Sequence, residues 1–345
     1  MPGLLVTHLP DLRYLCGFTG SSAALAVTRR AARLFTDGRY TTQAADEVKA
    51  AAVQIVSGSP AVAAVEWLAA QPGAEFAGFD PTKTTVADLA RWKAALPSRL
   101  RRSFLSALAA PLVEPLRWVK DKEELALMSE AALLGCRLFE HVLGFVRPGM
   151  AEIEVAAELE HQARVLGAEG MSFETIVASG VRSALPHGRA SAAKLPRKGF
   201  VTLDFGIILG GYCSDMTRTV YLGRPRKKER DAYEAVLEAE EAGVAAVGAG
   251  VRCGDVDEAA RSVLRKAGLA EAFSHSTGHG VGLEIHESPR IGAGQTSRLL
   301  PGMVITIEPG VYLAGEFGIR IEDMVVVTET GAHVLTPAPK ALIEL

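Results

Sequence analysis

Short apolar runs alternate with segments of helical period over the first third of the chain. The runs GLLVTHL and AALAVT have the length and composition of β-strands, and ARLFTDGRYTTQAADEVKAAA predicts a strand, a turn and a helix. Apolar residues return at helical spacing in AVAAVEWLAA and TTVADLARWKAAL. Two prolines, Pro111 and Pro115, then precede a new helical pattern. We therefore predict a small α/β domain over residues 1–117, with a boundary at Trp118–Lys122.

The remainder of the chain, residues 118–345, contains a weak internal repeat. The segments RPGMAEIEVAAELEHQARVLGAEG and GAGVRCGDVDEAARSVLRKAGLAE align so that Gly149 matches Gly250 and Gly167 matches Gly268. Each copy follows a long predicted helix and precedes strand-like sequence punctuated by glycines. Two such copies predict a pseudo-twofold domain in which a sheet is wrapped by two helix pairs.

The segment VTLDFGIILGGYCSDMTRTVYLG predicts a β-hairpin that turns at Gly210 and Gly211. A two-residue turn places Asp215 opposite Gly206, and Asp204 lies two positions further along the same face. Two carboxylates on one face of an apolar sheet repel each other and lose hydration. A divalent cation between them is the simplest remedy.

A second hairpin is predicted in GMVITIEPGVYLAGEFGIRIEDMVVV, around a loop centred near Gly315. Glu308 and Glu322 are separated by an even number of positions, so both lie on one face if no bulge intervenes. Arg320 shares the parity of Glu322 and is expected to hold its carboxylate in place. This hairpin therefore repeats the paired carboxylates of the first.

Two histidines, His279 and His286, lie in the glycine-rich segment TGHGVGLEIHE. Their spacing fits neither a helical metal pair nor a zinc-finger loop. A single acidic residue in a strand is usually an edge charge, and a buried histidine is usually a hydrogen-bonded core residue. Four carboxylates and one imidazole together favour a pair of divalent ions such as Mn²⁺, Co²⁺ or Zn²⁺, which activates water for hydrolysis.

The charge and cysteine content limit the classes of partner and compartment. The formal net charge is −3, so the sequence predicts neither nucleic acid nor a membrane surface as a partner. No run reaches the roughly 18 apolar residues of a membrane span. The four cysteines are scattered, and the N-terminus has no basic, apolar leader, so we expect reduced thiols in a cytoplasmic protein.

Five segments in the second domain resemble those of the pita-bread metallopeptidases, the family of Xaa-Pro aminopeptidase and Xaa-Pro dipeptidase (prolidase). They are SGVRSALPHG, LDFG with YCSDMTRT, HSTGHGVGLEIHESP, PGMVITIEPGVY and GIRIED. DLRYLCGFTGSS, TDGRYTTQA and VKDKEELALM extend the resemblance over nearly the whole chain. It implies an α/β (α+β) fold with a creatinase-like domain at 1–117 and a pita-bread catalytic domain at 118–345. Relatives usually begin with a further helix, so we expect a trimmed first domain or an upstream start.

The resemblance also implies roles for individual residues. The metal ligands would be Asp204, Asp215, His279, Glu308 and Glu322. They would hold two divalent ions. Mn²⁺ is the ion expected first, and Co²⁺ or Zn²⁺ are the alternatives. Asp215 and Glu322 would bridge both ions, and Glu308 would act as general base.

The remaining histidines are implied to act on the substrate. His187 and His286 resemble the residues that bind substrate and stabilise the tetrahedral intermediate, and His275 resembles a supporting or proton-shuttling residue. Arg290 occupies a position that is arginine in some prolidase-like relatives, where it suits the carboxylate of a C-terminal proline. The alternative is that Arg290 is a surface charge.

The implied activity is hydrolysis of the Xaa-Pro bond in short peptides with proline at the second position, by a homodimer. Three alternatives remain at this point: a methionine-aminopeptidase-like enzyme, a metal-free creatinase-like hydrolase, and a non-catalytic binding module. The last two are expected to have lost metal ligands, whereas all five are present in this sequence.

Overall fold

The computed structural model describes residues 3–345 and divides the chain into two compact units. The first unit ends at Arg117, and the second comprises Trp118–Leu345. Residues 1 and 2, with which the predicted first domain begins, lie outside the described part of the chain. Within residues 3–345, no helix is long and apolar enough to cross a membrane.

The first unit is a six-stranded mixed sheet with helices. Its strand order is β4-β3-β2-β1-β5-β6, in which β1, β5 and β6 run parallel and β2 is antiparallel to both of its neighbours. The strands are β1 (Gly3–Val6), β2 (Ala23–Thr28), β3 (Ala32–Asp37), β4 (Ala52–Val56), β5 (Ala77–Phe79) and β6 (Leu105–Ala107). The helices are α1 (Leu9–Cys16), α2 (Thr41–Glu47), α3 (Pro60–Ala69), α4 (Val86–Ala95) and α5 (Glu114–Trp118).

Helices α3 and α4 of the first unit begin at side-chain caps. Ser59 accepts a hydrogen bond from the Val62 N–H at the start of α3, and Thr85 accepts one from the Asp88 N–H at the start of α4. The apolar face of α3 buries Val65 and Leu68 against the sheet. The strands and helices predicted from the apolar pattern are confirmed, although α2 ends at Glu47 because the chain then turns into β4.

The second unit contains two pairs of helices and four sheets. The helices are α6 (Lys122–Phe145), α7 (Glu152–Val165), α8 (Lys227–Ala246) and α9 (Cys253–Lys266). The strands are β7 (Gly170–Met171), β8 (Ile176–Ser179), β9 (Gly199–Phe205), β10 (Ile207–Leu209), β11 (Tyr212–Cys213), β12 (Met216–Leu222), β13 (Gly278–Gly280), β14 (Glu287–Ile291), β15 (Val304–Ile307), β16 (Gly310–Leu313), β17 (Phe317–Arg320), β18 (Asp323–Val327) and β19 (Ala332–Val334). The sheet orders are β11-β10-β7, β12-β9-β8, β14-β13-β15-β18-β19 and β16-β17.

The predicted internal repeat is present in the helices. Helices α7 and α9 each have 14 residues, and they begin at Glu152 and Cys253. The glycines that flank each copy have positive φ at matching positions, +86° at Gly149 and +79° at Gly250. A left-handed residue before each helix favours glycine, so the sequence match reflects a shared backbone conformation.

Candidate active site

The first hairpin, residues 199–222, carries two of the predicted ligands. Its register is as predicted, because Ile208 pairs with Cys213 and Asp204 pairs with Thr217. Gly210 and Gly211 form the turn with φ of +55° and +78°, which only glycine adopts without strain. Asp204 and Asp215 are both buried.

The second hairpin, residues 304–327, is interrupted at its carboxylates. Ile307 pairs with Asp323 on one side of the interruption and Gly310 pairs with Arg320 on the other. The register is the same on both sides, which places Glu308 directly opposite Glu322 with no bulge. Their backbone N–H groups bond outward instead, to the carbonyl oxygens of Thr277 and Thr217 at 2.7 and 3.1 Å. The strands thus separate where the carboxylates project.

Carboxylates from both hairpins converge on His279. Ligand atoms of Asp215, His279 and Glu322 all lie within 4.8 Å of one another. His279 Nε2 lies 3.5 Å from Asp215 Oδ2 and 3.5 Å from Glu308 Oε1. The predicted ligands Asp215 and Glu308 thus approach the imidazole from different hairpins.

The His279 ring presents a lone pair to these carboxylates. Its Nδ1 lies 3.0 Å from the Gly280 carbonyl oxygen, which can only accept a hydrogen bond, so Nδ1 carries the proton. Burial lowers the pKa of His279 to about 4, so the ring is neutral near pH 7. A neutral Nε2 lone pair facing carboxylate oxygens is repulsive without a cation between them. This is the usual arrangement of a metal-binding histidine.

The carboxylates themselves are poorly compensated. Burial raises the pKa of Asp215 and of Glu322 well above the usual range, and neighbouring carboxylates raise both further. Burial also raises the pKa of Glu308 to about 7. One oxygen of Asp204, Oδ1, is buried without a hydrogen-bond partner among the described residues. Excess negative charge and an unpaired buried oxygen both fit divalent cations at this site.

Arg320 reaches the site but holds a different carboxylate from the one predicted. Its NH2 group donates to Asp204 Oδ2, and its Nε donates to Thr217 Oγ1 at 3.1 Å. Thr217 Oγ1 in turn donates to Glu322 Oε2 at 2.6 Å. Arg320 is therefore joined to Glu322 through the Thr217 hydroxyl of the first hairpin.

Tyr312 is a member of the site that the sequence pattern did not single out. Its hydroxyl accepts a hydrogen bond from Arg320 NH1 at 2.7 Å and lies 2.9 Å from His275 Nε2. His275 Nδ1 lies 2.8 Å from the Ser276 carbonyl oxygen, so both of its ring nitrogens have partners. These contacts join His275 to Tyr312 and, through the Tyr312 hydroxyl, to Arg320. Gly310 leaves room for this hydroxyl, because a Cβ atom at that position would lie 2.6 Å from it.

The other predicted substrate residues lie near His279 or His286. The His286 ring is exposed, and its centre lies 4.4 Å from that of the His279 ring. His187 is also exposed and lies close enough to lower the pKa of His275 and His286. Arg290 is exposed and is the cross-strand neighbour of His279 on β14.

Comparison with known proteins agrees with this site. Residues 126–329 match metallopeptidase family M24, and residues 1–119 match the creatinase/prolidase N-terminal domain. An uncharacterized peptidase of Bacillus subtilis, YqhT, is 40% identical over 343 residues, which cover 99% of this chain and 96% of that protein.

Solved structures with the same fold include two proline-directed peptidases. The Xaa-Pro dipeptidase from Bacillus anthracis superimposes with a TM-score of 0.95 at 40% identity, covering 100% of this chain and 95% of that one. The X-Pro aminopeptidase from Thermotoga maritima gives a TM-score of 0.92 at 35% identity, covering 100% and 98%. The α/β fold, the two matched domains and the converging carboxylates lead to one conclusion: this chain belongs to metallopeptidase family M24.

Proposed function

We propose that this chain is a Xaa-Pro exopeptidase that uses two divalent metal ions, with Mn²⁺ as the preferred ion. The observation that carries the proposal is the convergence of two carboxylate-bearing hairpins on the Nε2 lone pair of His279. Its support is a family whose similar members include a Xaa-Pro dipeptidase and an X-Pro aminopeptidase. The creatinase-like and binding-module alternatives would not need these donors.

Five side chains would hold the metal ions. They are Asp204, Asp215, His279, Glu308 and Glu322. When bound, the ions supply Lewis acidity, which polarises the scissile carbonyl and makes water a stronger nucleophile. Glu308 takes the proton of the attacking water at its carboxylate and passes it to the proline nitrogen. The water oxygen then remains on the carbonyl carbon as the C–N bond breaks.

The exposed histidines complete the chemistry. His286 lies beside His279, and His187 lies near His286. Partial loss of solvation lowers the pKa of His286, and an imidazole N–H there can donate one hydrogen bond to the substrate oxygen that becomes negative. A peptide bond before proline has no N–H, so recognition must depend on the carbonyl and the ring.

Arg290 is proposed to select substrate length. As the cross-strand neighbour of His279, it lies next to the metal-ligand imidazole and is exposed to solvent. An arginine there can bind the free carboxylate of an Xaa-Pro dipeptide through two hydrogen bonds. Arg290→Ala should then raise KM for Xaa-Pro by roughly tenfold or more, as the loss of a charged hydrogen bond does, and change KM for Xaa-Pro-Yaa less. Equal effects on the two substrates would remove Arg290 from the site.

The proposal is tested by supplying metals to apo-protein. The chelated protein receives Mn²⁺, Co²⁺ or Zn²⁺, and hydrolysis of Xaa-Pro and Xaa-Pro-Yaa is compared with that of the matching alanine peptides. We expect no turnover without metal and cleavage only before proline. Turnover by the chelated protein, or equal cleavage of the alanine peptides, would overturn it.

Compartment and assembly complete the proposal. All four cysteines are buried thiols outside any disulfide, which supports a cytoplasmic protein with reduced thiols. We also propose a homodimer, on the family resemblance, and light scattering of the purified protein measures this directly.

A further inference from the structure

Among the described residues, 3–345, none forms a hydrogen bond with the His286 ring. The ring is exposed, and among residues 3–345 its defined ring contact is with His279, at 4.4 Å between centres. An exposed side chain that must meet a substrate oxygen depends on its backbone for its position. The groups that hold the backbone on either side of His286 therefore decide where the ring lies.

The next residue, Glu287, points in the opposite direction and is buried. Its Oε1 accepts a hydrogen bond from the Glu284 backbone N–H at 3.1 Å. A Cβ atom at Gly282 would lie 2.6 Å from Oε2, so the backbone passes directly over this carboxylate. The loop of residues 282–286 therefore wraps around the Glu287 side chain and presents His286 on its outer side.

A buried ammonium pairs with that carboxylate. Lys120 Nζ lies 3.2 Å from Glu287 Oε2, and the two side chains are 1% and 2% exposed. The Lys120 backbone N–H donates to the Gly302 carbonyl at 2.9 Å, and the neighbouring Val119 forms a bridge with Met303. Lys120 is thus fixed to the chain that enters β15.

We infer that Lys120 is a positioning residue for His286, acting through Glu287; the inference rests on the substrate role of His286 in the proposed function. Replacing Lys120 removes a cation that compensates the buried Glu287 carboxylate, and the loss draws that chain segment towards water. Because the loop is built around the Glu287 carboxylate, such a shift moves His286 while the metal ligands on the two hairpins stay in place.

A double-mutant cycle with His286→Ala tests this coupling. Lys120→Met should lower kcat by about 10–100-fold, as a displacement of about 1 Å does at a reacting centre, with metal content unchanged. In the His286→Ala background the same substitution should lower kcat by less than about threefold. Equal factors in both backgrounds would overturn the inference.

Glu287→Gln provides the second variant, because it keeps the size of the side chain and the acceptor for the Glu284 N–H. The double variant Lys120→Met/Glu287→Gln leaves no buried charge unpaired, so its kcat should exceed that of Lys120→Met. A double variant no better than the single one would show that Lys120 matters for packing and not for charge. Arg226→Met, which removes a 2.7 Å pair with Glu229, is the matched control and should leave kcat unchanged.

The outcomes separate this inference from the proposed function. If His286→Ala retains wild-type kcat, the substrate role of His286 fails, and Lys120 has nothing to position. If His286→Ala is impaired and the Lys120 effect is additive, only the positioning inference fails. A loss of metal from Lys120→Met would also overturn it, since the effect would then pass through the ligands.

Discussion

The two carboxylate hairpins of the second unit reach one site by different geometries. The first turns through Gly210 and Gly211, and this tight turn sets the register of Asp204 and Asp215. The second crosses between two sheets, and its register is set by pairing on both sides of Glu308 and Glu322. The first register depends on a two-residue turn, whereas the second is kept by strand pairing on both sides of the interruption.

Their supports show that neither hairpin makes the site alone. Asp204 of the first hairpin receives its hydrogen bond from Arg320 of the second. Glu322 of the second receives its hydrogen bond from Thr217 of the first. Each hairpin therefore orients a carboxylate of the other, and the site exists only where the two meet.

The largest expected effect comes from removing one proposed bridging ligand from each hairpin. Asp215→Ala and Glu322→Ala should each abolish turnover at saturating Mn²⁺, because each loss leaves the remaining ligands unable to hold a metal pair. Turnover is measured together with metal content and circular dichroism. Substantial activity of either folded variant would contradict a shared dinuclear site.

The two histidines that are not proposed as ligands, His187 and His286, should behave differently from the ligands. His187→Ala and His286→Ala should keep near-normal metal content and lose about 10²–10³ in kcat, the usual cost of one transition-state donor. The measurement pairs steady-state kinetics with metal analysis. Metal depletion in either variant would instead assign that histidine a structural or ligand role.

The contact between the hairpins is tested most directly at Thr217. Thr217→Val keeps the shape but removes the 2.6 Å hydrogen bond to Glu322 and the acceptor for Arg320. Metal affinity of the apo-protein, measured by calorimetry, should fall about 10–100-fold, as it does when the partner of a metal ligand is lost. Thr219→Val is the control, because Thr219 lies on the same strand and donates to the Arg320 carbonyl at 2.9 Å. If both variants bind metal equally well, Thr217 does not orient Glu322.

The difference between the hairpins also marks how much the sequence could predict. The first hairpin was predictable in register, because two adjacent glycines define a turn type and period two then places Asp204 and Asp215. The shared face of Glu308 and Glu322 was predictable from the same period of two along the strands. The carboxylate partner of Arg320 was not, because it depends on how strands of different sheets meet. The place of Tyr312 between Arg320 and His275 has the same cause.

The fold shows the same division between local and distant information. Helices α7 and α9 were recognisable as a repeat because their flanking glycines need the same backbone conformation. The pairing of Lys120 with Glu287 joins segments far apart in sequence, and no local sequence pattern predicts it. Local periodicity therefore predicts elements and faces, whereas contacts between elements require the structure.

The smallest expected effect is on the free energy of unfolding, and it contrasts one ion pair at each hairpin. At the end of the first, Glu229 accepts hydrogen bonds from the Tyr221 hydroxyl at 2.9 Å and from Arg226 NH2 at 2.7 Å. Burial raises the pKa of Glu229, but hydrogen bonds from Arg226 and Tyr221 outweigh it and lower the pKa to about 2. In the turn of the second, Glu316 pairs with Lys228 at 2.5 Å, where both side chains are exposed.

A carboxylate whose pKa falls on folding stabilises the folded state when ionised. For Glu229 this stabilisation is complete above about pH 4.5 and is lost as the pH falls towards about 2. Glu229→Gln should lower the free energy of unfolding at pH 7 by about 1.5–3 kcal/mol, and its difference from wild type should shrink below pH 4.5. Glu316→Gln should change stability by no more than about 1 kcal/mol, because exposed pairs contribute little. Thermal unfolding of both variants at pH 7 and pH 3 measures the contrast, and equal shifts at the two hairpins would show that burial does not distinguish them.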